Sequence, residues 1–299
     1  MNKLEDFITS PLGVYCHDAG SANLIVAWLQ DCEIDLSVCM EGPALLIWKR
    51  YFPDINTSPI EEVLKNSTSL LSGTGWGDSE YLVRLEAKKR SIKNIAVIDH
   101  WTNYEERFSR NDNEELPDLI LVSDKYAFDK AKVLFPVIPI IQLPNTYLEQ
   151  EAKLAKLVRT RDCRSLIENI LIIAEPIRDK SSSKNQGVEF AAIEFLMNNF
   201  DKINLSNKLA KIKLRPHPSE SLNKYDFIQK KYDHLVTEFT ISKNSSLHDD
   251  LAWADIVVGM NSYALVVALS AKIPTMSILP PGSNESILPY EEIIHLRDL

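Results

Sequence analysis

Three turns in this 299-residue chain carry side chains able to do chemistry. Arg215-Pro216-His217-Pro218 sets a guanidinium and an imidazole on a turn stiffened by two prolines. Arg suits bidentate contact with phosphate, and His can donate a hydrogen bond to a departing phosphate oxygen. Gly259-Met260-Asn261-Ser262 lies between the β-branched run Ile256-Val257-Val258 and an apolar stretch opening at Tyr263. Ser262 suits a helix N-cap, and the N–H groups and dipole at a helix N-terminus suit an anion such as phosphate. His17-Asp18-Ala19-Gly20-Ser21 offers a carboxylate and an imidazole, either of which can take a proton from a hydroxyl. Asp18 is the first choice of base and His17 the second; the alternative for Asp18 is a plain helix cap.

Two further stretches stay open. Gly73-Thr74-Gly75-Trp76-Gly77 has rival readings as a dinucleotide-binding turn, with Asp99 as ribose ligand, and as a glycine-rich loop facing an acceptor sugar. The spacing is GxGxG rather than GxGxxG, and Asp78 stands where a pyrophosphate would approach, so Gly75 and Trp76 fit the acceptor role better. A plain turn remains the third reading. Asp99-His100-Trp101 opens a stretch of rings, carboxylates and amides running to Phe108, the mixture that sugar recognition uses. Asp99, His100 and Trp101 are candidate acceptor contacts, and Asp99 or His100 an alternative base; rings packed on the core are the competing reading. Glu175 is a further candidate on the phosphate side. His234, His248 and His295 lack partners at ligand spacing, and no HExxH, Walker A loop or cysteine cluster calls for a metal.

Each of these turns needs a strand before it and a helix after it. In the N-terminal half, strands are expected over 13–16, 34–40, 69–71, 94–98, 118–122 and 137–142. Helices are expected over 23–30, 43–50, 79–90 and 125–135, with 51–68 read as a polar, mixed segment. A charge-rich helix over 146–161 leads to a linker near 160–164. Alternation then restarts, with strands over 169–174, 210–214, 235–238, 256–258 and 275–279 and helices over 188–200, 221–232, 246–253 and 263–271. The fold class is α/β: two Rossmann-like, doubly wound domains, residues 1–160 and 165–299, opposing their carboxyl edges across a cleft. Ligands bind such sheets outside the carboxyl ends of the strands, where all three turns fall.

Composition narrows the partners. With 45% hydrophobic and 25% charged residues the chain reads as globular, and a net charge of -9 argues against general affinity for nucleic acid. The opening MNKLEDFITS lacks a signal-peptide core, and no run reaches the roughly 18 apolar residues of a membrane span. Cys16, Cys32, Cys39 and Cys163 show no CxxC spacing and read as reduced thiols. The expectation is a cytoplasmic protein with at most peripheral membrane association.

The RPHP turn, followed by an Asp-strand-Gly-x-x-Ser-helix-Pro block, resembles bacterial glycosyltransferases of the GT-B architecture. It is especially similar to those using CMP-activated acidic sugars (sialyl-, polysialyl- and Kdo-transferases), with their HP motif and downstream S motif. CDP-polyol phosphotransferases share the general layout. The likeness runs from about Asn169 to Pro281. It implies that His217 and Ser262 bind the nucleotide phosphate, with Arg215, Pro218, Asn261 and Tyr263 around them. Many UDP-sugar enzymes of this architecture grip the ribose with a Glu on the helix that follows; Val267 stands at the matching position, against a UDP-sugar donor. Asp18-Ala19-Gly20 partly matches the acidic, glycine-containing turn of the CMP-sugar enzymes. The reading is therefore a metal-independent glycosyltransferase without a cofactor, using a nucleotide-sugar as co-substrate and a surface-glycan or lipid-linked acceptor of capsule or lipopolysaccharide type. His217 would assist departure of the nucleotide. Alternatives on the same fold are a nucleotide-sugar epimerase or hydrolase, a polyol-phosphate transferase, and a non-catalytic nucleotide- or partner-binding module.

Overall fold

A computed structural model describes residues 2–75, 77–111, 113–158, 167–175, 187–203, 210–217, 220–243 and 246–299. Trp76, Pro218, Cys163 and the 160–164 linker lie outside the described residues. The chain divides into two compact units, Met1–Tyr147 and Leu148–Leu299.

The first unit is built on strands β1 (Leu12–Cys16), β2 (Leu36–Met40), β3 (Ser69–Ser72), β4 (Lys93–Ile98), β5 (Leu119–Val122) and β6 (Ile140–Gln142). They form one sheet in the order β2-β1-β3-β4-β5-β6, every pairing parallel. Burial on both faces makes such strands short apolar runs rather than alternating ones; β1, β3 and β5 are buried at every position. Helices α1 (Ala19–Leu29), α2 (Gly42–Tyr51), α3 (Ile60–Lys65), α4 (Asp78–Lys89) and α5 (Lys125–Leu134) fill the crossovers. The α1 helix is apolar nearly all round and buries every residue from Leu24 to Leu29. It begins at Ala19, four residues before the expected start, because the Asp18 backbone already has the extended geometry of an N-cap. The α3 helix falls in the stretch read as polar and mixed: six residues burying only Val63 and Leu64 show no periodicity to detect.

Helix α6 (Thr146–Val158) falls almost wholly in the second unit. There β7 (Asn169–Ile173), β8 (Lys211–Arg215), β9 (Glu238–Ile241), β10 (Ile256–Gly259), β11 (Thr275–Ser277) and β12 (Ile294–His295) pair in the order β9-β8-β7-β10-β11-β12, again all parallel. Helices α7 (Val188–Asn198), α8 (Asp226–Tyr232), α9 (Leu247–Trp253) and α10 (Tyr263–Ser270) flank this sheet. The β9 strand starts three residues later than expected, since Asp233–Leu235 is spent on a 3-10 turn and Glu238 pairs with Lys211. The two-residue edge strand β12 is too short to leave a pattern in the sequence. No described helix is long and apolar enough to cross a membrane.

Strand order fixes where ligands can enter. Chain direction over the sheet reverses between β1 and β3 in the first unit and between β7 and β10 in the second. On open parallel sheets, ligands bind outside the carboxyl ends of the strands at such reversals.

Candidate functional site

At the first reversal, the turn after β1 carries His17 and Asp18. His17 Nδ1 and Asp18 Oδ1 are 2.9 Å apart, with both side chains partly exposed. Asp18 occupies the N-cap position of α1, yet its side chain makes no capping bond, so the plain-cap reading does not account for it. The hydrogen bond that His17 makes to Asp18 raises the His17 pKa above its usual 6.5; burial opposes this, while the charges of Asp18, Glu80 and Glu41 add to it. The His17 backbone is held at both ends, its N–H by Glu80 Oε1 at 3.0 Å and its carbonyl by the Ala44 N–H at 3.1 Å. Gly42 lies beside the Nε2 edge of the ring, where a side chain would crowd it. Its φ is +48°, and a Cβ there would stand 2.7 Å from His17 Nε2.

The loop after β3 faces the same reversal. A Cβ on Gly75 would lie 2.2 Å from Asp18 Oδ2, and the Gly75 N–H donates to Glu80 Oε2. Glycine at 75 is therefore required by two carboxylates lying against the backbone, which closes this face to a pyrophosphate. That corrects the dinucleotide reading. Asp99 is not a ribose ligand in waiting either: its Oδ1 accepts from Arg107 Nη1 at 2.8 Å, and Arg107 also bonds Thr74 O at 2.9 Å. Asp99 does join the cluster, since a Cβ on Gly20 would meet its Oδ2.

The ring-rich stretch is a correction to the acceptor reading. Trp101 is 5% exposed and donates its indole N–H to Asp124 Oδ2 at 3.1 Å; Tyr104 and Phe108 are buried as well. These rings pack into the fold rather than offering a face to a sugar. His100 is largely enclosed and bonds Thr102 Oγ1 at 3.2 Å, and burial pushes its pKa down. Of the acceptor contacts expected from the sequence, Gly75 and Asp99 lie with His17 and Asp18, Trp101 belongs to the core, and Trp76 lies outside the described residues.

In the second unit, the turn after β10 carries Asn261 and Ser262. Ser262 is the N-cap of α10, its Oγ accepting from the Ala264 N–H at 3.3 Å. The Asn261 N–H donates to Glu175 Oε2 at 3.0 Å, tying the turn after β10 to the end of β7 across the reversal. Burial raises the Glu175 pKa, and the Asn261 N–H offsets part of that rise. Asn261 Oδ1 accepts from Ser286 Oγ and the Ile287 N–H, each at 3.1 Å, so the amide braces the segment behind the turn. Asn261, Ser262 and Tyr263 are all partly exposed.

The turn after β8 splits into two roles. His217 is exposed, and its N–H bonds Glu220 Oε2 at 3.2 Å. Burial pushes the Glu220 carboxyl up, but bonds from Lys224, Tyr225 and the His217 N–H outweigh it and leave its pKa lowered. Arg215 instead turns toward α9: its Nη1 lies 2.6 Å from Asp250 Oδ2 and 3.2 Å from the Ser246 carbonyl. Asp250, wholly buried, also accepts from Ser242 Oγ at 2.6 Å and lies 3.4 Å from Lys213 Nζ. Within this network Arg215 fixes the strand end from which His217 projects.

Sequence reading did not single out Glu80 or Asp250, both buried acids on helices. The closely spaced glycines 73 and 75 were the one signal available for Glu80.

By sequence, no family model matches the chain and no curated protein is significantly similar to it. By structure, the chain is similar to the UDP-GlcNAc 2-epimerase of Neisseria meningitidis, solved with UDP-GlcNAc: TM-score 0.61 at 12% identity, covering 93% of this chain and 84% of that one. The UDP-GlcNAc 2-epimerase of Methanocaldococcus jannaschii, in complex with UDP-GlcNAc and UDP, gives 0.60 at 12% identity over 95% and 88%. Anabaena HepE, in complex with UDP and glucose, gives 0.52 at 10% over 90% and 80%. At such identities what is shared is the fold: two α/β units, each on a six-stranded parallel sheet.

Proposed function

We propose that this protein is a glycosyltransferase that moves a sugar from a nucleotide donor, a CMP-sugar by preference, to a glycan or lipid-linked acceptor of surface-polysaccharide synthesis in the cytoplasm. The observation that carries the reading is the His17–Asp18 pair at a topological switch point, a carboxylate bonded to an imidazole and left unused as a helix cap. With Nδ1 turned to Asp18, His17 Nε2 takes the proton of the acceptor hydroxyl, and Asp18 stabilises the imidazolium that forms. This reverses the order of the two residues expected from sequence. The acceptor oxygen attacks the anomeric carbon as its bond to the donor phosphate breaks. In the second unit, His217 and the Ser262-capped N-terminus of α10 are groups suited to the negative charge of a nucleotide phosphate. Gly75 and Asp99 bound the acceptor side.

The fold neighbours, solved with UDP-GlcNAc or UDP, support a nucleotide-linked ligand. The CMP preference rests on α10, which has no carboxylate, and on the fully buried Val267. Those neighbours also support a second reading, an epimerase or hydrolase acting on the same class of compound, which product analysis separates from transfer.

The test is nucleotide release from CMP-N-acetylneuraminate, CMP-Kdo and UDP-GlcNAc. We expect CMP release from a CMP-sugar, reduced about 10²-fold or more by His217→Ala. Absence of release from every donor, or full activity of His217→Ala, contradicts the proposal.

A further inference from the structure

Glu80 lies on the first turn of α4 with 1% of its surface exposed, in the third helical position, where a Glu ordinarily reaches back to its own N-cap. Here it reaches farther. One oxygen accepts the His17 N–H at 3.0 Å, from the turn after β1, and the other accepts the Gly75 N–H, from the loop after β3. These turns flank the reversal of the first sheet, where the backbone bonding runs one residue past β3, from the Gly73 N–H to the Tyr15 carbonyl at 3.1 Å. Gly73 completes the seat, since a Cβ there would stand 2.4 Å from Glu80 Oε1.

We infer that Glu80 is the positioning residue of the proposed base: by spanning the His17 and Gly75 N–H groups it holds the His17–Asp18 pair in register with the Gly73–Gly75 loop. The inference rests on reading His17–Asp18 as the base. Two converging N–H donors require a group that only accepts, which an ionised carboxylate is and an amide is not. Stability alone is a poor reason for such a group, because a buried charge is costly and a neutral, well-packed residue is often at least as stable. Burial does raise the Glu80 pKa, with the His17 and Gly75 N–H groups and Arg84 opposing and Asp18 adding. Arg84, itself buried, donates to Gly73 O at 2.8 Å and to Arg107 O at 3.0 Å, so the same cluster braces the loop from behind. The charges that act most on the His17 ring are those of Asp18, Glu80 and Glu41, all acids.

The experiment uses the full chain and two variants, Glu80→Gln and Glu80→Asp. Glu80→Gln sets an amide N–H against one of the two backbone donors. We expect faster hydrogen exchange at the His17 and Gly75 amides and a lower NMR titration midpoint for His17. CMP release from CMP-N-acetylneuraminate should fall about 10²-fold at saturating donor, as expected for a small misplacement of a base. The donor KM should change little, because the donor phosphate is assigned to the second unit. Glu80→Asp keeps the charge but is one methylene too short to span both turns; it should restore most of the His17 midpoint without restoring the rate, and it carries the test if Glu80→Gln does not fold. Wild-type release rates in either variant, or an unchanged His17 midpoint in Glu80→Gln, overturn the inference. If the wild type releases no nucleotide from any donor, the transferase reading fails, while amide exchange and the His17 midpoint still decide whether Glu80 positions the pair.

Discussion

Asp18→Asn is expected to lower turnover by about 10²–10⁴-fold, the range spanned by general-base contributions and by loss of a carboxylate that orients a catalytic imidazole. The side chain keeps its size, so the change isolates charge. As a base, His17 acts when neutral, so activity rises with pH as His17 loses its proton. The bond to Asp18 holds that midpoint above the usual 6.5. Removing the carboxylate therefore shifts the acid limb of the pH–rate profile to lower pH, although the rate at every pH is far below wild type. Donor binding should change little. The same linkage gives a stability check: the charged pair stabilises the fold fully below about 6.5 and loses that contribution as pH rises through the raised midpoint. A pH–rate profile combined with donor KM tests the assignment, and full activity in Asp18→Asn would remove His17–Asp18 as the base.

The second large effect falls on the other unit. Asp250→Ala is expected to destabilise it by about 3–5 kcal/mol, the cost of removing one partner of a buried ionic network. Asp250 is wholly buried, and its loss removes the carboxylate that Arg215, Lys213 and the Ser242 hydroxyl share. The effect concentrates where these residues sit, at the carboxyl end of β8 and the segment after β9. Hydrogen exchange there should accelerate well before the β7–β10 core. His217 lies two residues beyond Arg215, so nucleotide affinity should fall together with local protection. Unfolding measurements showing a change under about 0.5 kcal/mol, the size typical of an ordinary surface position, would mean that the network is not structural.

Much of the fold was legible because parallel strands buried on both faces leave a plain signature. Leu119–Val122 and Ile256–Gly259 are apolar runs with no competing helical period, and each ends at a turn residue. Strand order was not legible, since no local residue says that β3 rather than β2 lies beside β4; that depends on crossover packing. The turns at His17-Asp18, Arg215–His217 and Asn261-Ser262 stand out in the sequence as candidates because a few residues in tight sequence carry both the backbone signal and side chains able to do chemistry. What escaped were relations across the fold. Arg215 read as a phosphate ligand because its partner Asp250 is 35 residues away on α9. Trp101 read as a sugar platform because its partner Asp124 lies 23 residues on. Glu80 sits in DSEYLVRLEAKK, where nothing in the pattern of charges marks one acid as buried.

The central claim is that the second unit holds a nucleotide phosphate at the turn after β10, and titrating the protein with CMP, CDP and UDP while following its backbone amides by NMR tests it most directly. Saturable shifts are expected at Asn261, Ser262, Tyr263 and Ala264 with CMP or CDP, weaker ones with UDP, and their loss in His217→Ala. Saturation with none of the three, or shifts confined to residues away from the Asn261-Ser262 turn, would contradict it.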